Sequence, residues 1–229
     1  MNANQPYRHE LKYEITPVEY LALRQRIRYL LRPDPHVGQD GRYQICSLYF
    51  DNCHDKALRE KRNGVSRREK FRLRYYNGDM HRIALEKKQK INGLCLKTGC
   101  LIPQEACRKL MEGDAHWLPA SAPPLLQELD FKRKSQLLRP RTLVTYHREP
   151  YLYPAGNVRI TFDMDIRTSL DPMDFLRPDS SLIPIMAPGH MILEIKYDAF
   201  LPEAVARLLQ VGVARSRACS KYAECRKFE

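Results

Sequence analysis

Lys70, Arg72 and Arg74 occupy alternate positions of KFRLRYY, residues 70–76, with Phe71, Leu73 and Tyr75 between and after them. Successive side chains of a strand face opposite ways, so such a strand has one strongly cationic face and one apolar face. The pattern recurs. RHELKYEI near the start places Arg8, Glu10 and Lys12 on one parity, ALEKKQK places Glu86, Lys88 and Lys90, LCLKT places Lys97, and VTYHR ends at Arg148. VRITFDMDI sets Arg159, Asp163 and Asp165 against Val158, Ile160, Phe162, Met164 and Ile166. ILEIKYD sets Glu194, Lys196 and Asp198 against Leu193, Ile195 and Tyr197. Guanidinium forks and ammonium groups grip phosphoryl oxygens through charge-assisted hydrogen bonds. Carboxylates among them either offset cation repulsion or hold a hard divalent cation through oxygen. A triphosphate–metal complex needs both kinds of group together.

One such strand is explained by an ordinary sheet with its polar face in water. Water-facing strand positions also sample Thr, Ser, Gln and Asn, which are scarce on these faces. Side-by-side cations repel one another. A sheet curled into a closed barrel solves the problem: the charged parity faces inward, the apolar parity faces outward under helices, and no edge is left exposed.

The elements that must carry these faces can be read along the chain. Alternation marks a strand over residues 7–15, and Thr16-Pro17-Val18-Glu19 is a capping box opening a helix to about Leu31. Residues 44–51 read as a buried strand, and 52–63 as a short helix closed by Gly64. Strands over 67–76, 81–91 and 94–98 are joined by Asn77-Gly78 and Asn92-Gly93, the strongest short hairpin signal. Helices follow near 103–111 and up to Leu138, then strands over 142–150 and 158–166, a proline-rich loop, a strand over 190–199, and helices over 202–209 and 220–226.

The chain has 229 residues with 39 Lys and Arg against 27 Asp and Glu, a formal charge of +12 that suits a polyanionic partner. The cations are spread through strands rather than gathered in a tail, which argues against a disordered nucleic-acid arm. No apolar run is long enough to cross a bilayer and the N-terminus lacks a secretory pattern, so a cytoplasmic protein of one domain over 1–229 is expected. Seven cysteines without a Cys-x-x-Cys pair, and no His-Glu-x-x-His, exclude zinc spacing. Cys46, Cys95 and Cys107 read as small core residues. The run Lys61, Arg62, Arg67, Arg68 reads as solvated surface, Asp163 and Asp165 as strand-end charges, and Trp117 as a packing anchor.

Taken in order, RHELKYEI, SLYFD, KFRLRYY, LEKK, YHR, VRITFDMDI, LEIKY and the terminal SKY resemble the triphosphate tunnel enzymes. Within that group the resemblance is to the polyphosphate-polymerase domain of the vacuolar transporter chaperone (VTC) type. The Arg8-x-Glu10-x-Lys12 opening departs from the Glu-x-Glu-x-Lys of the wider CYTH branch, towards the polymerase-like branch. The resemblance implies an α+β fold built on an eight-stranded antiparallel β-barrel with helices packed outside, and Mn²⁺ or Mg²⁺ as cofactor. It assigns phosphate binding to Arg8, Lys12, Arg72, Arg74 and Lys88, and further along to Lys97, Arg148, Arg159, Lys196 and Lys221. It assigns metal binding to Glu194, helped by Glu10 and Glu86, though those two also read as plain ion-pair partners. Catalysis would rest on Lys12, Arg72, Arg74, Lys88 and Glu194.

The implied activity is transfer of the ATP γ-phosphoryl group onto a growing polyphosphate chain, in a tunnel open at both ends. The same residues suit hydrolysis of tripolyphosphate or nucleoside triphosphates. A third reading is non-catalytic binding of polyphosphate, RNA or DNA, with steep salt dependence. Phe71 and Tyr75 lie opposite the arginines, which suits packing rather than base stacking, so no specific nucleic acid is expected.

Overall fold

The computed structural model describes residues 7–114, 118–119, 121–177, 180–210 and 219–227; Trp117 lies outside them. The strands are β1 (His9–Ile15), β2 (Arg32–Pro33), β3 (Tyr43–Asp51), β4 (Arg67–Tyr76), β5 (Ile83–Ile91), β6 (Leu94–Ile102), β7 (Arg139–Tyr153), β8 (Val158–Ser169), β9 (Ile183–Pro184) and β10 (Met191–Tyr197). The helices are α1 (Pro17–Leu30), α2 (Lys56–Arg62), α3 (Gln104–Glu112), α4 (Pro124–Gln136), α5 (Glu203–Leu208) and α6 (Lys221–Cys225). No helix among the described residues is long and apolar enough to cross a membrane.

The fold is α+β, one large antiparallel sheet with six helices among the described residues. Its long strands lie in the order β1-β10-β8-β7-β3-β4-β5-β6, with β2 paired to β7 and β9 to β8. The two outermost strands meet at a single bridge, where Arg8 and Cys95 exchange two main-chain hydrogen bonds of 2.9 Å. The expected barrel is therefore not closed by a continuous ladder: the sheet's edges are pinned together at one point.

Local chemistry explains the elements. Asn77 and Gly78 hold φ of 50° and 72°, and Asn92 and Gly93 hold 48° and 88°, the positive pair that a tight hairpin turn requires. The Thr16 hydroxyl accepts from Glu19 N while the Glu19 carboxylate accepts from Thr16 N, closing the capping box of α1.

The two faces of the sheet are chemically separate. Phe71, Leu73 and Leu85 are buried against Cys107 and Leu110 of α3 and Leu126 and Leu129 of α4. Ile160, Phe162, Leu193 and Ile195 are buried with Leu23 and Ile27 of α1. Each fully buried side chain of this size contributes about 1.5–3 kcal/mol, and that burial holds the apolar parity under the helices. The charged parity has only the inside left to it.

One irregularity breaks the alternation. The β7–β8 register shifts between Thr145 and His147, and opposite it Asp165 takes φ of 51°. This bulge turns Asp165 to solvent, where it pairs with Arg167 at 2.8 Å, and moves Ile166 out of the outer apolar set. Ile166 instead packs with Tyr43, Ile45, Val144, Tyr146 and Ile192 on the other face, and Cys225 of α6 is buried among them.

Candidate functional site

A cavity of about 730 Å³ opens on the charged face of the sheet. Its wall contains every cation assigned from the sequence: Arg8 just before β1, Lys12 from β1, Arg72 and Arg74 from β4, Lys88 from β5, Lys97 from β6, Arg148 from β7, Arg159 from β8, Lys196 from β10 and Lys221 from α6. Glu10 and Glu194 share that wall. Glu86 does not line it. Its buried carboxylate sits behind the wall, receiving Arg72 through Nε at 2.8 Å and Nη2 at 2.7 Å and Lys97 at 3.1 Å.

Register explains the convergence. Lys12 lies opposite Glu194 and Glu10 opposite Lys196 across β1 and β10, so acids and bases alternate along and between the two strands. Lys12 Nζ stands 2.6 Å from Glu10 Oε1 and 3.1 Å from Glu194 Oε2. Glu10 also pairs with Lys88, and Glu194 with Lys196. Arg72 Nη1 donates to the Tyr49 hydroxyl at 2.9 Å, and Arg74 Nε donates to Ser47 Oγ at 3.0 Å, which fixes both guanidinium planes from β3. Arg159 is held by Asp34 at 2.7 Å and Arg8 by Asp198 at 2.7 Å.

Burial alone raises a carboxylate's pKa, but here it is outweighed. Lys196, Lys12 and Arg148 hold Glu194 well below the usual carboxylate range, and Lys12 and Lys88 do the same for Glu10. Lys12 is raised well above the ordinary lysine value, since the attraction of Glu10 and Glu194 exceeds its desolvation. Lys196 is left at about 8 because burial dominates. At neutral pH the wall thus holds ionised acids threaded among cations.

Asp163 is not a solvated strand-end charge. It is wholly buried and accepts from Arg148 Nε at 2.6 Å and Nη2 at 2.8 Å, and it also pairs with Lys221. Helix α6 is thereby tied to the sheet. Tyr222 donates its hydroxyl proton to Asp51, and Arg226 pairs with Asp55 at 2.6 Å. Asp51 also caps α2, accepting from Ala57 N at 2.9 Å and Leu58 N at 3.2 Å. Around Cys225 the inner face is packed with the buried apolar side chains of Ile45, Val144, Ile166 and Ile192.

Four cavity cations stand outside the set assigned to phosphate binding: Lys61 and Arg68, and Lys70 and Lys90, which the alternation had placed on the charged faces. Arg68 and Lys70 continue the parity of Arg72 and Arg74, and Lys90 continues that of Lys88, so the alternation itself was the available signal. Lys61 had none, because only the packing of α2 brings it to the cavity. Lys61 and Arg68 are therefore not simply solvated surface. Cys95 also lines the cavity, whereas Cys46 and Cys107 are core residues as expected.

The class that fold and site define is an α+β protein whose antiparallel sheet turns an alternating acid–base face onto one cavity. The sequence matches the family described as VTC domain over residues 7–228, and the chain belongs to that family. No curated protein matches it. Among solved structures it is similar to the PH1819 protein of Pyrococcus horikoshii, with TM-score 0.50 and 16% identity over 97% of this chain and 100% of that one. It is also similar to a putative adenylate cyclase of Bacillus halodurans, with TM-score 0.47 and 15% identity over 90% of this chain and 88% of that one. The PH1819 likeness shows a shared fold.

Proposed function

We propose that the protein transfers the terminal phosphoryl group of ATP, or another triphosphate, onto inorganic polyphosphate within this cavity. The observation that carries the reading is the convergence of cations from seven strands and α6 on one cavity whose wall also holds Glu10 and Glu194. Phosphoryl transfer relies on positioning and electrostatic stabilisation, and an anionic acceptor needs no strong general base. A Ser-His or Cys-His pair is not required for it.

The donor set fits a hard divalent cation such as Mn²⁺ or Mg²⁺. Glu194 Oε1 is buried and accepts no well-aligned hydrogen bond, although Lys196 and Arg148 stand beside it. No cluster of three metal-ligating side chains occurs among the described residues. Glu194 with Glu10 matches the usual arrangement for magnesium, in which one or two carboxylates are completed by water and substrate phosphates. A bound ion would offset charge on the phosphoryl oxygens. Arg72, Arg74 and Arg148 orient those oxygens as fixed forks, while Lys12, Lys88, Lys196 and Lys221 neutralise the chain. Glu86 serves as the counter-ion that sets Arg72.

Hydrolysis of triphosphates is the second reading, favoured by the apolar packing of Ile45, Val144 and Ile192 around Cys225, which suits a cavity entered from one side. Incubation of the purified protein with ATP and Mn²⁺, followed by gel electrophoresis, separates the two. A ladder of long chains supports transfer; orthophosphate alone supports hydrolysis and removes the first reading.

A further inference from the structure

Tyrosine rings as well as charges line the cavity: Tyr43 and Tyr49 from β3, Tyr76 from β4, Tyr146 from β7 and Tyr222 from α6. Most of them are committed to the wall. Tyr43, Tyr146 and Tyr222 are buried, and Tyr49 accepts from Arg72 and packs against Tyr222. Tyr76 is different. It is 40% exposed, the most open of these rings.

Its place on the strand accounts for that exposure. Tyr76 keeps the inward parity of Arg72 and Arg74, whereas Tyr75 beside it is buried in the apolar core with Phe71 and Leu73. It is also the last residue of β4, immediately before the Asn77-Gly78 turn. At the usual rise of a strand it stands about 7 Å beyond Arg74 and about 13 Å beyond Arg72, with Arg68 and Lys70 at the opposite end. A triphosphate gripped by the two forks therefore has one end directed at this ring.

The ring is also held still. Tyr43 meets it edge-on, with centroids 5.6 Å apart and planes at 71°, and the Tyr43 hydroxyl accepts from Arg159 Nη2 at 2.8 Å. Arg74 Cζ lies 5.9 Å from its centroid. Behind it the turn is clamped: Gln44 N donates to Asn77 Oδ1 at 2.8 Å and Asn77 N donates to Gln44 O at 3.1 Å. An exposed tyrosine by itself needs no explanation. One fixed at a cavity edge, next to phosphate-gripping arginines and on their parity, is a preorganised stacking surface.

We infer that Tyr76 is a specificity-determining residue of this cavity: its ring stacks on the base of a nucleoside triphosphate whose phosphates lie on Arg72 and Arg74. The inference rests on the proposed reading of the cavity and deepens it, from the triphosphate to the group that carries it. The nucleoside then faces the Asn77-Gly78 turn, and the terminal phosphoryl group points away from Tyr76 towards Lys70 and Lys88. Every base has a π face, so the ring separates nucleotides from inorganic triphosphate rather than one base from another.

The test is calorimetric titration, with EDTA present, of ATP and of inorganic tripolyphosphate into the wild type, Tyr76→Ala and Tyr76→Phe. Tyr76→Ala should bind ATP about tenfold more weakly and keep the wild-type affinity for tripolyphosphate. Tyr76→Phe, which keeps the ring and loses only the hydroxyl, should match the wild type for both ligands. Equal losses for both ligands in Tyr76→Ala would make Tyr76 a support for Arg74 and overturn the inference. Unchanged ATP affinity in that variant would overturn it too, as would a Tyr76→Phe that binds ATP as weakly as Tyr76→Ala. In each of these cases tripolyphosphate still binds the wild type and the cavity reading stands. A wild type that binds neither ligand would bring down the cavity reading and this one together. Thermal melts of each variant confirm that the comparison is made on folded protein.

Discussion

Arg148 and Lys221, from β7 and the last helix, share one wholly buried carboxylate, that of Asp163 on β8, with Arg148 gripping it through two bonds of 2.6 and 2.8 Å. A single acid thereby orients two cavity-lining cations and fastens α6 across the inner face. Replacing it by Asn keeps the shape and leaves two buried cations without their counter-ion. Asp163→Asn should lower stability by about 3–5 kcal/mol. Added tripolyphosphate should then raise the melting temperature more in the variant than in the wild type, because the ligand replaces the missing charge. Equal shifts would show that Asp163 does not compete with the ligand.

The two parities of β4 should separate by experiment. Arg72→Ala and Arg74→Ala each remove a fork that faces the cavity and should abolish product formation. Leu73→Ala, between them, faces α3 and α4 and should cost about 2–5 kcal/mol of stability with little change in turnover by the folded fraction. Denaturant melts paired with the gel assay read both quantities.

Glu194→Gln should abolish metal-dependent turnover and leave metal-free tripolyphosphate binding in place, since the cations that hold the ligand remain. Wild-type turnover in this variant would remove Glu194 from the proposed chemistry.

The Lys70 ammonium titrates near 7 in the folded chain against 10.5 when free, so between those values the unfolded chain holds a proton that the folded one has released. Stability therefore gains from Lys70 as pH rises through that window, and Lys70→Gln should lose this gain. Anion binding has the opposite sign, because it favours the charged ammonium. Facing groups on every neighbouring element, Lys12 on β1, Lys88 on β5, Lys61 on α2 and Arg68 on β4, repel that proton, and Tyr222 on α6 adds only a ring face. The advantage of the wild type over Lys70→Gln in tripolyphosphate affinity should shrink between about pH 6 and about pH 9, read by calorimetry.

Much of this architecture is legible in the chain. Alternation in KFRLRYY, ALEKKQK and ILEIKYD assigns each residue to one of two faces, and Asn77-Gly78 and Asn92-Gly93 connect β4, β5 and β6 as hairpins. The bulge at Asp165 was not legible. Asp165 continues the strand's alternation in sequence, and only the pairing of β8 with β7 forces the extra residue out. Asp163 was misread for the same reason: an acid at the end of an alternating run looks solvated until a long-range partner buries it.

Periodicity is a property of neighbours in sequence, so the sequence alone determined which side chains share a face and that one face is ionic. It carries no information about which distant elements meet. Tertiary packing decided that the sheet's edges touch at Arg8 and Cys95, that α6 is drawn onto the inner face by Asp163 and Asp51, and that Lys61 reaches the cavity. Burial energy of the apolar face drove those choices, and the charged face had to accept the enclosure that resulted.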